Sequence, residues 1–249
     1  MKAIILAAGV GKRLSEKSEN LPKSLLKFNG ISLLERHLKL LKHFQIEEVI
    51  IIVGYESQMI KDAITALNLD HWVQNIYNPN FTQGSVVSLW YAREILEQEN
   101  NLLVMDADVL YDYRILERLI NTSNENCLLL DRDFEPGVEP VKICVKNDLI
   151  VEFRKEINPD LKYDLWGESV GFFRFSGEGL KKLLKRANFY IENSLENEPY
   201  EDIIRDLLLE KPEIFGYEDI TGFSWIEIDF AEDIIKANQT ILPKINFIK

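Results

Sequence analysis

The sequence predicts an α/β protein, a Rossmann-like three-layer α/β/α arrangement around a mixed, mostly parallel central sheet, with a small lobe built from the second half. Three observations carry that expectation. Over the first half, apolar runs of strand length alternate with stretches whose apolar residues recur at helical spacing, the rhythm of parallel βαβ units. After about residue 125 the rhythm changes, and strand-like segments follow one another with few helices between them. The chain of 249 residues, 46% hydrophobic and 28% charged, is long enough for one sizeable core. No linker or repeat divides it, so a single domain over 1–249 is expected, with halves of about 1–125 and 126–249.

The elements follow in order. Lys2 to Ala8 reads as a buried strand that runs directly into glycines and then into the polar stretch Ser15 to Asn20. Ser32 with Glu35 has the pattern of a capping box, and Leu33, Leu34, His37, Leu38 and Leu41 then form one helix face. Val49 to Val53 is the second strand, with Ser57 as the expected cap of a helix bearing Ile60, Ala63, Ile64 and Leu67. Trp72 to Tyr77 is the third strand, and Gln83-Gly84-Ser85 opens a helix carrying Val87, Trp90 and Ile95. Leu102 to Met105 is the fourth, ending at Asp106-Ala107-Asp108 before a helix through Ile115, Leu116, Leu119 and Ile120. Cys127 to Leu130, Val141 to Val145, Leu149 to Phe153 and Val170 to Phe175 read as further strands. Helices at Tyr200 to Leu209 and Ala231 to Ala237 flank a last strand, Trp225 to Ile228.

A formal charge of -12, from 29 basic and 41 acidic side chains, repels nucleic acid and anionic lipid, so neither is an expected partner and a polyanionic ligand must be met by a local site. Met1 leads straight into a strand without a signal-peptide pattern, and the apolar runs are strand-sized, which makes a cytoplasmic protein the expectation. Cys127 and Cys144 lie in strand-like segments without metal-type spacing and read as buried reduced thiols.

The loop Gly9-Val10-Gly11-Lys12-Arg13 stands at a strand's carboxyl end, where open α/β sheets bind ligands. Its glycines free the backbone to turn amides toward phosphate oxygens, and Lys12 and Arg13 add charge. Two glycines alone describe a tight turn equally well. The P-loop pattern fails because no Gly-Lys-Ser/Thr follows at the required spacing. The dinucleotide fingerprint fails at Leu14, where a third glycine belongs, and at Gly54-Tyr55, where its carboxylate belongs.

The segment Leu6-Ala7-Ala8-Gly9-Val10-Gly11-Lys12-Arg13-Leu14, followed by Leu21-Pro22-Lys23-Ser24-Leu25-Leu26, resembles the signature of sugar-phosphate-type nucleotidyltransferases. The likeness continues through Gln83-Gly84-Ser85, Met105-Asp106-Ala107-Asp108, Lys155, Glu168-Ser169-Val170-Gly171 and Trp225-Ile226-Glu227-Ile228-Asp229, and so spans nearly the whole chain. The late set, with Tyr200-Glu201-Asp202, looks most like cytidylyltransferases that activate phosphocholine, phosphonates or inositol phosphate. The resemblance implies a GT-A-like nucleotidyltransferase fold, a nucleotide-binding first half, and a second half that binds the acceptor and completes the metal site. It implies nucleotide contacts from Leu6, Ala7, Ala8, Gly9, Gly11, Lys12, Arg13, Gln83, Gly84, Ser85 and Asp106.

Such an enzyme joins two anions, so catalysis is positioning and charge neutralisation without a protein nucleophile. Lys23, presented after Pro22, is assigned to the α-phosphate or the acceptor phosphate, with Arg13 and Lys155 as further cations. Lys155 stands in a charged run that would otherwise read as a solvated face. Magnesium is the expected cofactor, since hard oxygen ligands from two strand ends suffice to hold it; Asp108 and Asp229 are the choice, with Asp106 on the same strand face as Asp108 and Glu227 left open. Each aspartate also has a plain alternative as a helix N-cap. The expected acceptor contacts are Lys155, Trp166, Glu168, Gly171 and Glu201, and an aromatic, acidic pocket favours a cationic acceptor such as phosphocholine or 2-aminoethylphosphonate. The expected nucleotide is CTP, with CMP transferred and pyrophosphate released. The alternatives are a hexose-1-phosphate uridylyl- or thymidylyltransferase, and a non-catalytic nucleotide-sensing subunit. His37, His43 and His71 are expected to be structural.

Overall fold

The computed structural model describes residues 1–14 and 21–247, and of Lys12 only the backbone. The polar stretch Ser15 to Asn20 lies outside the described residues. In chain order the elements are β1 (Lys2–Ala7), β2 (Lys27–Phe28), β3 (Ile31–Ser32), α1 (Leu33–His43), β4 (Val49–Val53), α2 (Ser57–Ala66) and β5 (Val73–Tyr77). Then come α3 (Ser85–Tyr91), α4 (Arg93–Gln98), β6 (Asn101–Asp106), β7 (Val109–Tyr111), α5 (Tyr113–Asn121), β8 (Asn126–Asp131), β9 (Lys142–Lys146), β10 (Leu149–Arg154) and β11 (Leu165–Ser176). The last are α6 (Gly177–Glu192), α7 (Tyr200–Glu210), β12 (Phe215–Asp219), β13 (Trp225–Glu227) and α8 (Ala231–Lys236).

The main sheet runs β10-β9-β11-β6-β1-β4-β5, and β8 joins it along β11 with β12 on β8's other edge. The strands β5, β4, β1 and β6 are mutually parallel, as the βα rhythm requires, while β11 runs antiparallel to β6, β8 and β9. Successive side chains of a strand face opposite ways, and the parallel strands bury both sets. Ala3, Ile5, Val49, Ile51, Leu103 and Met105 pack with Leu34 and Leu38 of α1, Ile60 of α2 and Ile115 of α5. Ile4, Ile50, Ile52, Leu102 and Val104 pack on the other side with Val86 of α3, Leu183 of α6 and Ile203 of α7. The result is the expected three-layer α/β/α arrangement. A third, smaller core of Leu14, Phe28, Leu33, Leu110, Ile226 and Ile228 lies under the two-stranded pair β7–β13.

Local expectations hold on α1, where all five face residues are buried and the Ser32 hydroxyl accepts from Glu35 N at 3.1 Å. The reciprocal half of the capping box is absent there, because the Glu35 carboxylate pairs with Lys39 one turn on, at 2.7 Å. Ser57 is not the cap of α2. Glu56 occupies that position with φ 45°, so the chain turns into the helix directly behind β4 through a left-handed residue. Besides the short strands β2, β3 and β7, two longer elements were missed. The longest helix, α6, carries Leu180, Leu183 and Ala187 at helical spacing on its buried face, and β12 adds a parallel strand beside β8. Strand β11 is also longer than Val170 to Phe175, starting at Leu165, because its first residues pair with β9 before the strand crosses to β6.

Candidate active site

The glycine loop emerges from β1, and Leu6, Ala7, Ala8, Gly9 and Gly11 line a cavity of about 290 Å³ at the carboxyl end of the parallel strands. Gly11 takes φ +64°, and a Cβ there would lie 3.1 Å from Lys23 Cγ; the residue is glycine both for its left-handed turn and because Lys23 passes directly over it. Leu14 N closes the turn on Gly11 O at 2.9 Å, and the Leu14 side chain is buried.

Lys23 lies at the start of a short 3-10 turn behind Pro22. Its ammonium bridges two carboxylates from far along the chain, at 2.9 Å from Asp108 Oδ2 and 2.6 Å from Asp229 Oδ1. Burial works against that charge, but the attraction of Asp108 and Asp229 outweighs it and holds the ammonium above the usual lysine range. Arg13 is half exposed. It reaches Glu139 at 3.2 Å and stands 3.9 Å from Asp229, with its guanidinium over the Phe230 ring.

The backbone explains why Asp108 and Asp229 meet. Strand β7 follows Asp108 at once and pairs antiparallel with β13 in the register Glu227↔Val109. Ile228 N then donates to Asp108 O at 3.0 Å, which sets the two aspartates side by side. Neither serves as a helix cap: Asp112 caps α5, and Asp233 accepts from the amides of Asp229 and Phe230 at the start of α8. Glu227 joins them, so that Asp108, Glu227 and Asp229 each offer an oxygen within 4.8 Å of the others. Three hard oxygen donors beside a phosphate-type loop fit a magnesium-sized divalent ion. Glu227 is exposed as a residue, but its carboxyl is partly desolvated by its neighbours; that, reinforced by the Asp108 and Asp229 charges, pushes it well above the usual range.

Asp106 ends β6 just behind this group. The Tyr200 hydroxyl donates to its Oδ2 at 2.9 Å, and burial, then the charges of Glu201, Asp108 and Glu227, push the carboxyl strongly up. Gly171, assigned to the acceptor from sequence, lines none of the cavities described here. It takes φ +77° in β11, and a Cβ there would fall 2.1 Å from Asp106 Oδ2, so its bare backbone makes the room in which Asp106 sits.

Gln83, Ser85, Phe81 and Ser88 line the far wall of the cavity. Gly84 does not line it; its amide donates to Glu196 O at 2.8 Å, while the Ser85 hydroxyl accepts from Tyr200 N at 2.8 Å. Glu201 lines the cavity as well, and its buried Oε2 has no hydrogen-bond partner in the protein.

A second hollow of about 550 Å³ opens on the other side of Glu227 and Asp229, walled by Asp131, Glu135, Glu139, Glu168, Phe134, Trp225 and Phe230. Burial, then the Asp131 charge, push the Glu168 carboxyl up to about 7. Trp166 lines neither space. It packs behind Phe134 at 5.1 Å and against Tyr163 at 5.9 Å. Lys155 is half exposed and pairs with Glu139 at 3.0 Å, on the same oxygen that Arg13 reaches. Glu139 was not anticipated. It sits in an acidic, proline-flanked turn with no motif around it, and only the fold brings Arg13 and Lys155 to it.

A phosphate-type glycine loop at the edge of a parallel sheet, facing carboxylates from two distant strand ends, defines a nucleotidyltransferase of the GT-A-like α/β type. Residues 3–157 match the MobA-like NTP transferase domain, and the chain belongs to that family. It is 25% identical over 255 residues to CTP:phosphoglutamine cytidylyltransferase of Campylobacter jejuni, covering 94% of this chain and 98% of that protein. CMP-5'-(3-aminopropyl)phosphonate synthase of Streptomyces rubellomurinus is 23% identical over 247 residues, which cover 98% of this chain but 39% of that protein. Relatives named bifunctional protein GlmU match as well. In fold, the inositol-1-phosphate CTP transferase of T. maritima superposes with a TM-score of 0.76 at 18% identity, covering 99% of this chain and 98% of that one. Among the described residues, no helix is long and apolar enough to cross a membrane.

Proposed function

We propose that the protein is a magnesium-dependent cytidylyltransferase that moves CMP from CTP to a small phosphorylated or phosphonate acceptor carrying a positive charge, with release of pyrophosphate. The observation that carries this reading is the convergence of Asp108, Glu227 and Asp229 within 4.8 Å of one another, opposite the glycine loop. An acceptor oxygen attacks the α-phosphorus, the new P–O bond forms, and the bond from that phosphorus to the bridging oxygen of the β-phosphate breaks. The loop amides and Lys23 neutralise the triphosphate, and Arg13 and Lys155 neutralise the incoming anion. Asp108, Glu227 and Asp229 would hold the magnesium ion, which supplies charge neutralisation to the phosphate oxygens when bound. Lys23 occupies two of those carboxylates in this arrangement, so it competes with the ion for them and is released toward the loop when it loses.

The positive charge on the acceptor follows from the walls. The carboxyls of Asp106 and Glu201 are raised above their usual range by desolvation and by neighbouring acids, and Glu201 Oε2, itself buried, lacks a partner; a buried acid oxygen of this kind is satisfied by a cation or an N–H donor. The relatives point the same way, since phosphoglutamine and an aminopropylphosphonate both carry a nitrogen. Cytosine rests on those relatives and on the late motifs, because the Gln83 amide pairs with several bases.

The test is pyrophosphate release over a grid of the four common nucleoside triphosphates against phosphocholine, 2-aminoethylphosphonate, phosphoglutamine, inositol phosphate and hexose 1-phosphates. Release with CTP and an amine-bearing acceptor supports the reading. Release only with UTP or dTTP and a hexose phosphate would establish the nucleotide-sugar alternative, and nucleotide binding without release under any acceptor would establish a sensor.

A further inference from the structure

We infer that His37 is a positioning residue for the carboxylate group of the active site: its two ring nitrogens pin the two ends of the segment from Ala107 to Tyr111, the backbone on which Asp108, Glu227 and Asp229 are assembled. The inference rests on reading those three carboxylates as a divalent-cation site.

His37 projects from α1 and is fully buried. Its Nε2 stands 3.3 Å from the Ala107 carbonyl oxygen and its Nδ1 stands 3.2 Å from the Tyr111 hydroxyl. A carbonyl oxygen only accepts, so Nε2 carries the proton and donates; Nδ1 then offers its lone pair to the Tyr111 O–H. One neutral tautomer therefore satisfies both contacts, whereas the other turns a lone pair toward a carbonyl. The ring is held in this pose by Tyr111 at 5.3 Å and Phe172 at 5.9 Å, and those two rings pack on each other at 4.8 Å.

The Ala107 carbonyl belongs to the peptide that joins Ala107 to Asp108. Holding its oxygen fixes the plane from which the Asp108 side chain departs. At the other end, Tyr111 is the residue of β7 that pairs with Trp225, so its placement sets the register that puts Glu227 opposite Val109 and leads on to Asp229. Helix α1 is anchored by Leu34, Leu38 and Leu41 in the main core, and the imidazole extends that rigidity to a segment which crosses from the large sheet to the small one. Outer partners of this kind typically change cation affinity by roughly ten- to a hundred-fold when removed.

The experiment uses the full chain saturated with CTP and titrated with Mn2+ by calorimetry, together with 15N NMR of the histidine side chains. His37→Gln keeps an N–H where Nε2 stands; His37→Asn keeps only the acceptor toward Tyr111; His37→Leu keeps neither. The expected result is an Nε2–H tautomer for His37 in the native protein, Mn2+ affinity within about three-fold of native in His37→Gln, and affinity weakened roughly ten-fold in His37→Asn and His37→Leu. The CTP dissociation constant without metal is expected to be unchanged in all three. Should His37→Leu fail to fold, the comparison of His37→Gln with His37→Asn carries the same test. Native Mn2+ affinity in His37→Asn, equal losses in His37→Gln and His37→Asn, or an Nδ1–H tautomer overturns the inference. A native protein that takes up no Mn2+ overturns instead the cation-site reading, and the tautomer, which needs no metal, still judges the pinning.

Discussion

Gly171→Ala isolates the fit between β11 and the acid it shelters. A Cβ at this position lies 2.1 Å from Asp106 Oδ2, and an ordinary carbon-to-oxygen contact is about 3.3 Å, so the carboxylate must retreat by roughly 1 Å. The backbone stands at φ +77°, where an L side chain costs roughly 1–2 kcal/mol. Retreat of Asp106 also loses the bond from the Tyr200 hydroxyl at 2.9 Å, a further contribution of about 1 kcal/mol. The sum, roughly 2–3 kcal/mol, corresponds to a fall in Tm of roughly 4–12 °C for a chain of this size. Urea unfolding of the native protein, Gly171→Ala, Asp106→Ala and the double variant measures it without any ligand. In the double variant the collision is gone, and the Tyr200 bond, lost in either single variant, is lost only once, so the two substitutions should couple by about 1 kcal/mol. Additivity within about 0.5 kcal/mol would show that Asp106 is not what Gly171 makes room for.

Asp108→Asn should leave the protein folded and reduce turnover by roughly a hundred-fold or more; retained magnesium-dependent activity in a pyrophosphate assay would identify the wrong carboxylate. Glu168, pushed up to about 7 by burial, is neutral below that value and charged above it, so the KM for an amine-bearing acceptor should fall as pH rises through about 7 and become flatter in Glu168→Gln. The same group has a sign for stability. Its folded value lies above the ordinary 4.5, so the folded state holds the proton more tightly, and the stabilisation present below 4.5 is lost as pH rises to about 7; unfolding curves that steepen in the opposite direction would refute the burial argument. Glu139→Gln removes the carboxylate shared by Arg13 and Lys155, and with exposed pairs of this kind contributing roughly 0.2–1 kcal/mol, the acceptor KM should drop by up to about five-fold. A rise would mean that Glu139 itself contacts the acceptor.

The parallel half of the fold was legible because its inner strands are apolar on both faces and its helices show one buried stripe; Val49–Val53 is buried at all five positions. Helix α6 was missed although Leu180, Leu183 and Ala187 stand at helical spacing on its buried face. Strand β12 was not legible. Phe215–Asp219 has one buried residue in five, and its identity as a strand comes from pairing with β8. At the site, the glycine loop, Lys23, Asp108 and Asp229 were marked by motif, and the structure brings the last three into contact. Their arrangement was not marked, since Tyr200 meets Asp106 across 94 residues, and Trp166 packs on Phe134 and Tyr163, neither of which belongs to the motif around it. Gly171 shows the limit most clearly: the sequence singled out the right residue, but its work is to leave space for an acid, which no pattern of neighbours announces.

The bridge from Lys23 to Asp108 and Asp229 separates two dependencies that many metalloproteins tie together. With a lysine of its own between the aspartates, part of their mutual repulsion is offset within the chain, so the site can assemble during folding without waiting for an inorganic ion to hold those strands together. If the protein works through a divalent ion as proposed, a chelator is expected to silence it without unravelling it, and supply of the ion would then act as a throttle on output while the pool of folded protein stays constant.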